Sequence, residues 1–259
     1  MAGINVPSDL GVLFNSKALD GIDILSFGVQ ECGIFKTREW EKHIKKIVCY
    51  YGFVEITTIK MFQMFLIIFI RKDLEQFVDK VESYCKPMGV ANVIGNKGGM
   101  IIAFKLMEYQ FVFVNCHLAP KSYKTIERNL MAKNLIKTLR IGEKFCEFDC
   151  SSDFLFWQGD LNYRIDYDYN LTINEINNNN LKFLLTKDQL IKQRQRNEIF
   201  YDFKEGEINF KPTYRRIKGQ DKYSNKANQS PSWCDRIMVR TDKKFDINFY
   251  DSIPEVNER

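Results

Sequence analysis

Strongly apolar runs follow one another in this chain with no helix between them. Phe53 to Ile59 and Met61 to Ile70 are consecutive runs rich in β-branched and aromatic residues. Met100 to Leu106 and Gln110 to Asn115 form a second pair, with Met107-Glu-Tyr as the turn. A doubly wound parallel sheet needs a crossover between consecutive strands, so this pattern argues against a simple Rossmann arrangement. Further strands are expected at Ile22 to Phe27, Phe154 to Trp157 and Cys234 to Val239. Thr37 is placed to cap a helix from Arg38 to Val48. Leu74, Phe77, Val78 and Val81 suggest a helix from Leu74 to Tyr84, and Thr125 to Leu139 reads as the clearest amphipathic helix. Leu171 to Gln195 reads as short helices, interrupted by a solvated turn at Asn177 to Asn180. The expected class is α/β, an α+β sandwich of two mixed β-sheets packed face to face with outer helices.

The chain has 259 residues, 45% of them hydrophobic, and nothing in it reads as a linker. One domain spanning 1–259 is expected. Met61 to Ile70 is the longest apolar run, and it is too short to cross a bilayer as a helix. The seven cysteines are scattered with no Cys-x-x-Cys pair, which reads as a reduced, cytoplasmic protein. The only histidines are His43 and His117, and neither sits near paired cysteines, which disfavours zinc. A net charge of +5 suits an anionic ligand, and it equally suits an ordinary mixed surface.

The candidate chemistry lies at strand ends. In Phe156-Trp-Gln-Gly-Asp-Leu-Asn-Tyr-Arg-Ile165 an apolar strand runs into Gly159, Asp160 and Asn162. Glycine permits close approach of a ligand, Asp160 can take a proton from water, and Asn162 can donate to a phosphoryl oxygen. Tyr163 offers a hydroxyl and Arg164 a forked cation suited to phosphate. The same residues also make good turns. Phe113-Val-Asn-Cys-His-Leu118 ends a second strand in Asn115 and His117. Phe27-Gly-Val-Gln-Glu31 ends a third in Glu31, a natural magnesium ligand that reads equally as a loop carboxylate. Asn96-Lys-Gly-Gly99 puts two glycines beside Lys97, either to cradle phosphate or to make a plain turn. Pro231-Ser-Trp-Cys-Asp-Arg-Ile237 holds Trp233 and an Asp235-Arg236 pair that could be a structural ion pair.

Taken together and in order, these segments resemble the inositol polyphosphate 5-phosphatases. Arg128-Asn129, Asp188-Gln189-Leu190, Phe203-Lys-Glu-Gly-Glu-Ile208 and Pro212-Thr-Tyr214 add lesser matches, so the resemblance runs from about residue 7 to 255. The resemblance implies a DNase I-like fold and magnesium-dependent removal of the 5-phosphate from inositol phosphates or phosphoinositide headgroups. It implies Glu31 at the metal, and Asp160 orienting or deprotonating water. His117 and Asn162 would steady the phosphoryl group. Lys97, Tyr163, Arg164, Lys222 and Lys226 would bind substrate phosphates. Asn115, Trp233, Asp235 and Arg236 would support the site. Members with a second histidine four positions after the first carry it where Lys121 stands here. The match around Asn115 to Asn129 leans towards members acting on 3-phosphorylated substrates. Peripheral membrane contact is expected at the cytosolic face; nucleic acid is not.

The sequence departs from the family at both ends. The opening Thr-Trp-Asn strand is not matched, and Asn5 lacks its flanking residues. The closing Ser-Asp-His segment should begin where Tyr250 to Arg259 stands. Three accounts fit: a sequence cut short, a pseudophosphatase that only binds phosphoinositides, or a chain completed by another piece. A related nuclease or sphingomyelinase would keep Gly-Asp-x-Asn without Trp233-Cys-Asp-Arg236, which argues against that class.

Overall fold

The computed structural model describes residues 19–253, apart from 34–35, 90–95, 142–145, 148–151, 218–219, 221 and 227–228. Asn5 and the end of the chain after residue 253 lie outside the described residues. In chain order the elements are β1 (Ile24–Val29), α1 (Thr37–Tyr50), β2 (Phe53–Met61), β3 (Met64–Arg71), β4 (Val78–Pro87), β5 (Gly98–Leu106), β6 (Tyr109–His117), α2 (Thr125–Thr138), β7 (Arg140–Ile141), β8 (Cys146–Glu147), β9 (Phe154–Asp160), α3 (Tyr169–Asn177), α4 (Leu181–Leu185), α5 (Gln189–Gln195), β10 (Lys204–Glu205) and β11 (Asp235–Arg240).

Two sheets stack face to face. The smaller has the order β1-β3-β2 and is antiparallel; the larger has the order β10-β11-β9-β6-β5-β4. The larger sheet is mixed, because β6 and β9 run parallel. The alternation of side chains explains the continuous apolar runs. On β3, Leu66, Ile68 and Ile70 enter the core between the sheets, where they meet Met100, Ile102, Phe104 and Phe113. The alternate residues Phe65, Ile67 and Phe69 pack outward on Trp40, Ile44 and Val48 of α1. On the far side, Ile101, Val112, Val114, Leu155 and Trp157 pack on Met131, Ala132 and Leu135 of α2. The layers are therefore helix, sheet, sheet, helix. Among the described residues no helix is long and apolar enough to cross a membrane.

Three sequence expectations need correction. Residues 74–84 are not a helix: Lys72–Phe77 is a 3₁₀ turn, and Val78–Pro87 is a strand. That strand pairs with β5 from Val78↔Leu106 to Pro87↔Gly98, and the ladder outweighs a short helical spacing in which Phe77 and Val81 stay exposed. Thr37 is the first helical residue of α1 rather than its cap. Its hydroxyl donates to the carbonyls of Gly33 and Phe62, tying the helix start to the β2–β3 turn. Helix α2 forms where expected but is not amphipathic, since Ile126 and Leu130 face solvent.

The glycines of the strand-end motifs make room for close approach within the ladder. Gly98 (φ +136) and Gly99 belong to β5, opposite His117 and Cys116. A Cβ on Gly98 would stand 2.2 Å from the carbonyl oxygen of Lys86. Gly159 has φ +139, and a Cβ there would lie 2.1 Å from the carbonyl oxygen of Cys116. Gly159→Ala therefore adds steric overlap with backbone to an unfavourable φ, and is expected to cost about 3 kcal/mol or more. Gly21→Ala is the control: its φ is +74 but nothing lies within 4 Å, so about 1 kcal/mol is expected. Denaturant midpoints measure both, and equal costs would refute the close-approach account.

Candidate functional site

The parallel register of β6 on β9 sets His117 opposite Asp160 at the carboxyl ends of both strands. The antiparallel register of β5 on β6 sets Gly98 opposite His117, which brings Lys97 to the same place. Glu31 follows β1 by two residues and takes a left-handed φ of 55; Asn162 follows β9 with the same φ. Non-glycine residues rarely adopt this region, and they concentrate at functional sites.

Four side chains converge here. His117 Nε2 lies 3.2 Å from Asp160 Oδ2 and 3.8 Å from Glu31 Oε1. Lys97 Nζ lies 3.1 Å from His117 Nδ1, also touches Nε2, and is 4.0 Å from Glu31 Oε1. His117 is 1% exposed, whereas the Glu31 side chain is 47% exposed, so the imidazole forms the floor and the carboxylate opens to solvent. Burial disfavours the Asp160 anion, but the His117 hydrogen bond and the charges of His117, Lys97 and Arg164 outweigh it and hold the carboxyl below its usual range. Burial lowers the Lys97 ammonium, with Arg164 adding to it against Asp160 and Glu31.

Arg164 is 3% exposed and stacks on the ring of Tyr214, its guanidinium carbon 3.8 Å from the centroid. Its Nε donates to the Asn162 carbonyl at 3.1 Å, and one terminal nitrogen donates to Asn162 Oδ1. The other terminal nitrogen is buried without a partner. Buried donors are nearly always paired, so an open guanidinium N–H beside Asn162 suits an anion. Asn162 is itself partly committed: its Nδ2 donates to the Leu118 carbonyl at 3.1 Å, which leaves one amide hydrogen.

Other expected site residues sit elsewhere. Tyr163 is fully buried, and its hydroxyl donates to Asn129 Oδ1 at 2.7 Å, so it is unavailable to a substrate. Asp235 and Arg236 are not an ion pair, because neighbours along a strand face opposite ways. Arg236 is buried against Asp188 and Glu205, while Asp235 accepts from the Thr213 hydroxyl at 2.9 Å. Trp233 donates to the Phe210 carbonyl in a separate core. Lys222 and Lys226 lie exposed on the segment that leaves Tyr214, and no contact draws them to His117 or Asp160.

Asn115 joins the two sheets beneath the site. It accepts from Gln30 Nε2 at 2.5 Å and donates to the Phe65 carbonyl at 2.9 Å. Gln158 adds a second strut, donating to Ser26 Oγ at 3.0 Å. The struts of Gln30 and Gln158 and the stacking of Tyr214 under Arg164 escaped the sequence reading, although all three residues fall inside its motifs. Among the described residues no group of three or more His, Cys, Asp or Glu side chains is arranged to hold a metal. Glu31 alone, half-open, fits the habit of magnesium, which takes one or two carboxylates and completes its shell with water and substrate phosphate.

Comparison with known proteins adds to this geometry. The Endonuclease/Exonuclease/phosphatase family 2 model matches residues 1–258. Phosphatidylinositol 3,4,5-trisphosphate 5-phosphatase 2A of Danio rerio is 33% identical over 93% of the chain. The chain spans only 21% of that relative's length. The inositol polyphosphate 5-phosphatase domain of SPsynaptojanin, solved with inositol (1,4)-bisphosphate and calcium ion, superposes with TM-score 0.82 at 29% identity, covering 91% of this chain and 72% of that one. A Cimex nitrophorin, solved as its ferrous NO complex, shares the fold with TM-score 0.81 at 22% identity, covering 99% of this chain and 90% of that one.

Asp235 pairs with Asp160 across the β9–β11 ladder. Its strand position opens to solvent, yet surrounding protein and then the Asp160 carboxylate push its pKa from 3.8 up to about 6. A raised carboxyl pKa means the folded state holds the extra proton, so stability falls as pH rises from 3.8 to about 6. Asp235→Asn removes this loss. Because the Asp235 side chain is exposed and screened by solvent, the variant's melting temperature is expected to gain only slightly on wild type across that window and to hold that small gain above it; a loss relative to wild type would refute the assignment.

Proposed function

The chain belongs to Endonuclease/Exonuclease/phosphatase family 2, and on that footing we propose that it hydrolyses the 5-phosphate of inositol polyphosphates or phosphoinositide headgroups with magnesium. The observation that carries this reading is the convergence of His117, Asp160, Lys97 and Glu31 on one opening, with the unpartnered Arg164 nitrogen beside it. The likeness to a domain solved with inositol (1,4)-bisphosphate supports it.

Glu31 would hold the metal, which supplies charge neutralisation at the phosphoryl oxygens. Asp160, kept ionised by its cationic neighbours, orients the attacking water and takes its proton. The remaining Asn162 amide hydrogen would donate to the phosphoryl oxygens as charge builds on them, and His117 would join it when its Nε2–H turns from Asp160 to the bound phosphate. Lys97 and Arg164 would bind the anion, and Lys222 and Lys226, exposed on the segment that leaves Tyr214, would have to be drawn in by the substrate to meet a neighbouring phosphate. The protein would act at the cytosolic face of membranes; the five described cysteines are all free, as a reducing compartment favours. Phosphatidylinositol 3,4,5-trisphosphate, named in the Danio rerio relative, is the first substrate to test.

A second reading, a phosphoinositide-binding module without catalysis, draws on the lone carboxylate at the metal position among the described residues. One assay separates the two: phosphate release from phosphatidylinositol 3,4,5-trisphosphate and inositol 1,4,5-trisphosphate, with magnesium or with EDTA. Release is expected only with magnesium. Asp160→Asn and His117→Ala should each lower kcat by about 10²–10⁴. A folded chain that binds these ligands and releases no phosphate would establish the binding module.

A further inference from the structure

Helix α2 has apolar side chains on two opposite faces. Met131, Ala132 and Leu135 face the six-stranded sheet. On the other side Ile126 is 74% and Leu130 61% exposed, and Tyr123, one short turn before the helix, is 80% exposed. Ile126 and Leu130, four apart on α2, share one face, and Tyr123 precedes them on the 3₁₀ turn Ser122–Lys124. Single exposed apolar residues are ordinary on a protein surface, but apolar side chains grouped in a stripe on one helix face and bordered by cations offer an interaction surface.

The stripe has a cationic border. Lys121, Lys124, Lys133 and Lys137 flank it, against Glu127, which pairs with Lys124 at 2.8 Å, and Glu198, which pairs with Lys133 at 3.2 Å. It is also fixed relative to the candidate site. Arg128 is fully buried and donates to the carbonyls of Ala119 and Lys121 through one terminal nitrogen and of Ser122 through the other, so the segment after His117 is clamped to α2.

We infer that the Tyr123–Ile126–Leu130 stripe is a membrane-contacting face, entering the headgroup boundary of an anionic leaflet while the lysines meet its phosphates. The stripe is three exposed side chains long and bordered by cations, which suits a soft anionic surface. Tyrosine, apolar with a polar tip, is at home at such a boundary. The inference rests on the proposed hydrolysis of headgroups at the adjoining site, and it selects lipid-borne over free substrates.

The test uses the whole chain and the double variant Ile126→Gln with Leu130→Gln. Both positions are exposed and glutamine keeps helix propensity, so folding is preserved. Sedimentation with phosphatidylcholine vesicles, with and without phosphatidylserine, gives the partition coefficient, and phosphate release is measured from inositol 1,4,5-trisphosphate. Wild type is expected to bind the phosphatidylserine vesicles. The variant should bind them about tenfold less or weaker still, with release from the soluble substrate unchanged. Equal vesicle binding by variant and wild type overturns the inference, and so does binding to neither vesicle. Self-association that the variant abolishes, without vesicle binding, overturns it in favour of a second copy of the chain. Vesicle binding that depends on these two residues, with no hydrolysis of any substrate, keeps the face and sinks the phosphatase reading instead.

Discussion

The parallel pairing of β6 with β9 is the constraint on which the site depends. Two strands running the same way deliver their carboxyl ends to the same edge, and the register sets His117 beside Asp160. It is the one parallel pairing among the described strands, and its crossover runs through α2, which covers the sheet it connects. The approach is so close at Gly159 that any side chain there would overlap the Cys116 backbone. A site floored by two paired strands is rigid in a way that loops are not, and this rigidity holds His117 Nε2 3.2 Å from Asp160 Oδ2.

The second constraint is the spacing between the sheets at that end. Apolar contact fills most of the interface, but Asn115 and Gln158 reach across it as polar struts. Burying amides costs free energy unless they are paired, and both find partners on the smaller sheet or the segment after it. Gly28 makes room for them, since a Cβ there would stand 2.6 Å from Gln158 Nε2 and 2.8 Å from Asn115 Oδ1. Gln30 is held by this strut, and Glu31 is its neighbour. The carboxylate at the opening is thus positioned from the opposite sheet by the strand that carries His117.

Local pattern explains which parts were legible in the sequence. The runs of β3, β5 and β6 alternate between two cores, so their apolar continuity pointed correctly to buried strands. Residues 74–84 misled because Leu74 and Val78 do pack into the inter-sheet core, at a spacing that both a helix and a turn-plus-strand provide. The pairing of β4 with β5 decides between them, and it is a long-range fact. Long range also decides against an Asp235–Arg236 ion pair and an open Tyr163 hydroxyl: adjacency in sequence does not say which side of a strand each residue takes. The glycine motifs are legible as places of close approach, but sequence does not tell the approach of another strand from that of a ligand, since both demand the same residue.

The likeness to a nitrophorin shows that this sandwich alone does not dictate chemistry. What distinguishes a working surface is expense without structural return. Arg164 leaves a buried nitrogen unpaired, where a hydrophobic residue would fill the space at lower cost. Glu31 and Asn162 hold a left-handed backbone that glycine would adopt freely. Ile126 and Leu130 expose apolar surface that a polar helix face would avoid. The first three border one opening, and the fourth feature sits on the helix clamped to its floor by Arg128. Left-handed residues also occur at turns such as Phe62, Met107 and Asn179, so it is the convergence of Glu31 and Asn162 with the unpaired Arg164 nitrogen, and not any one of them, that singles out this opening.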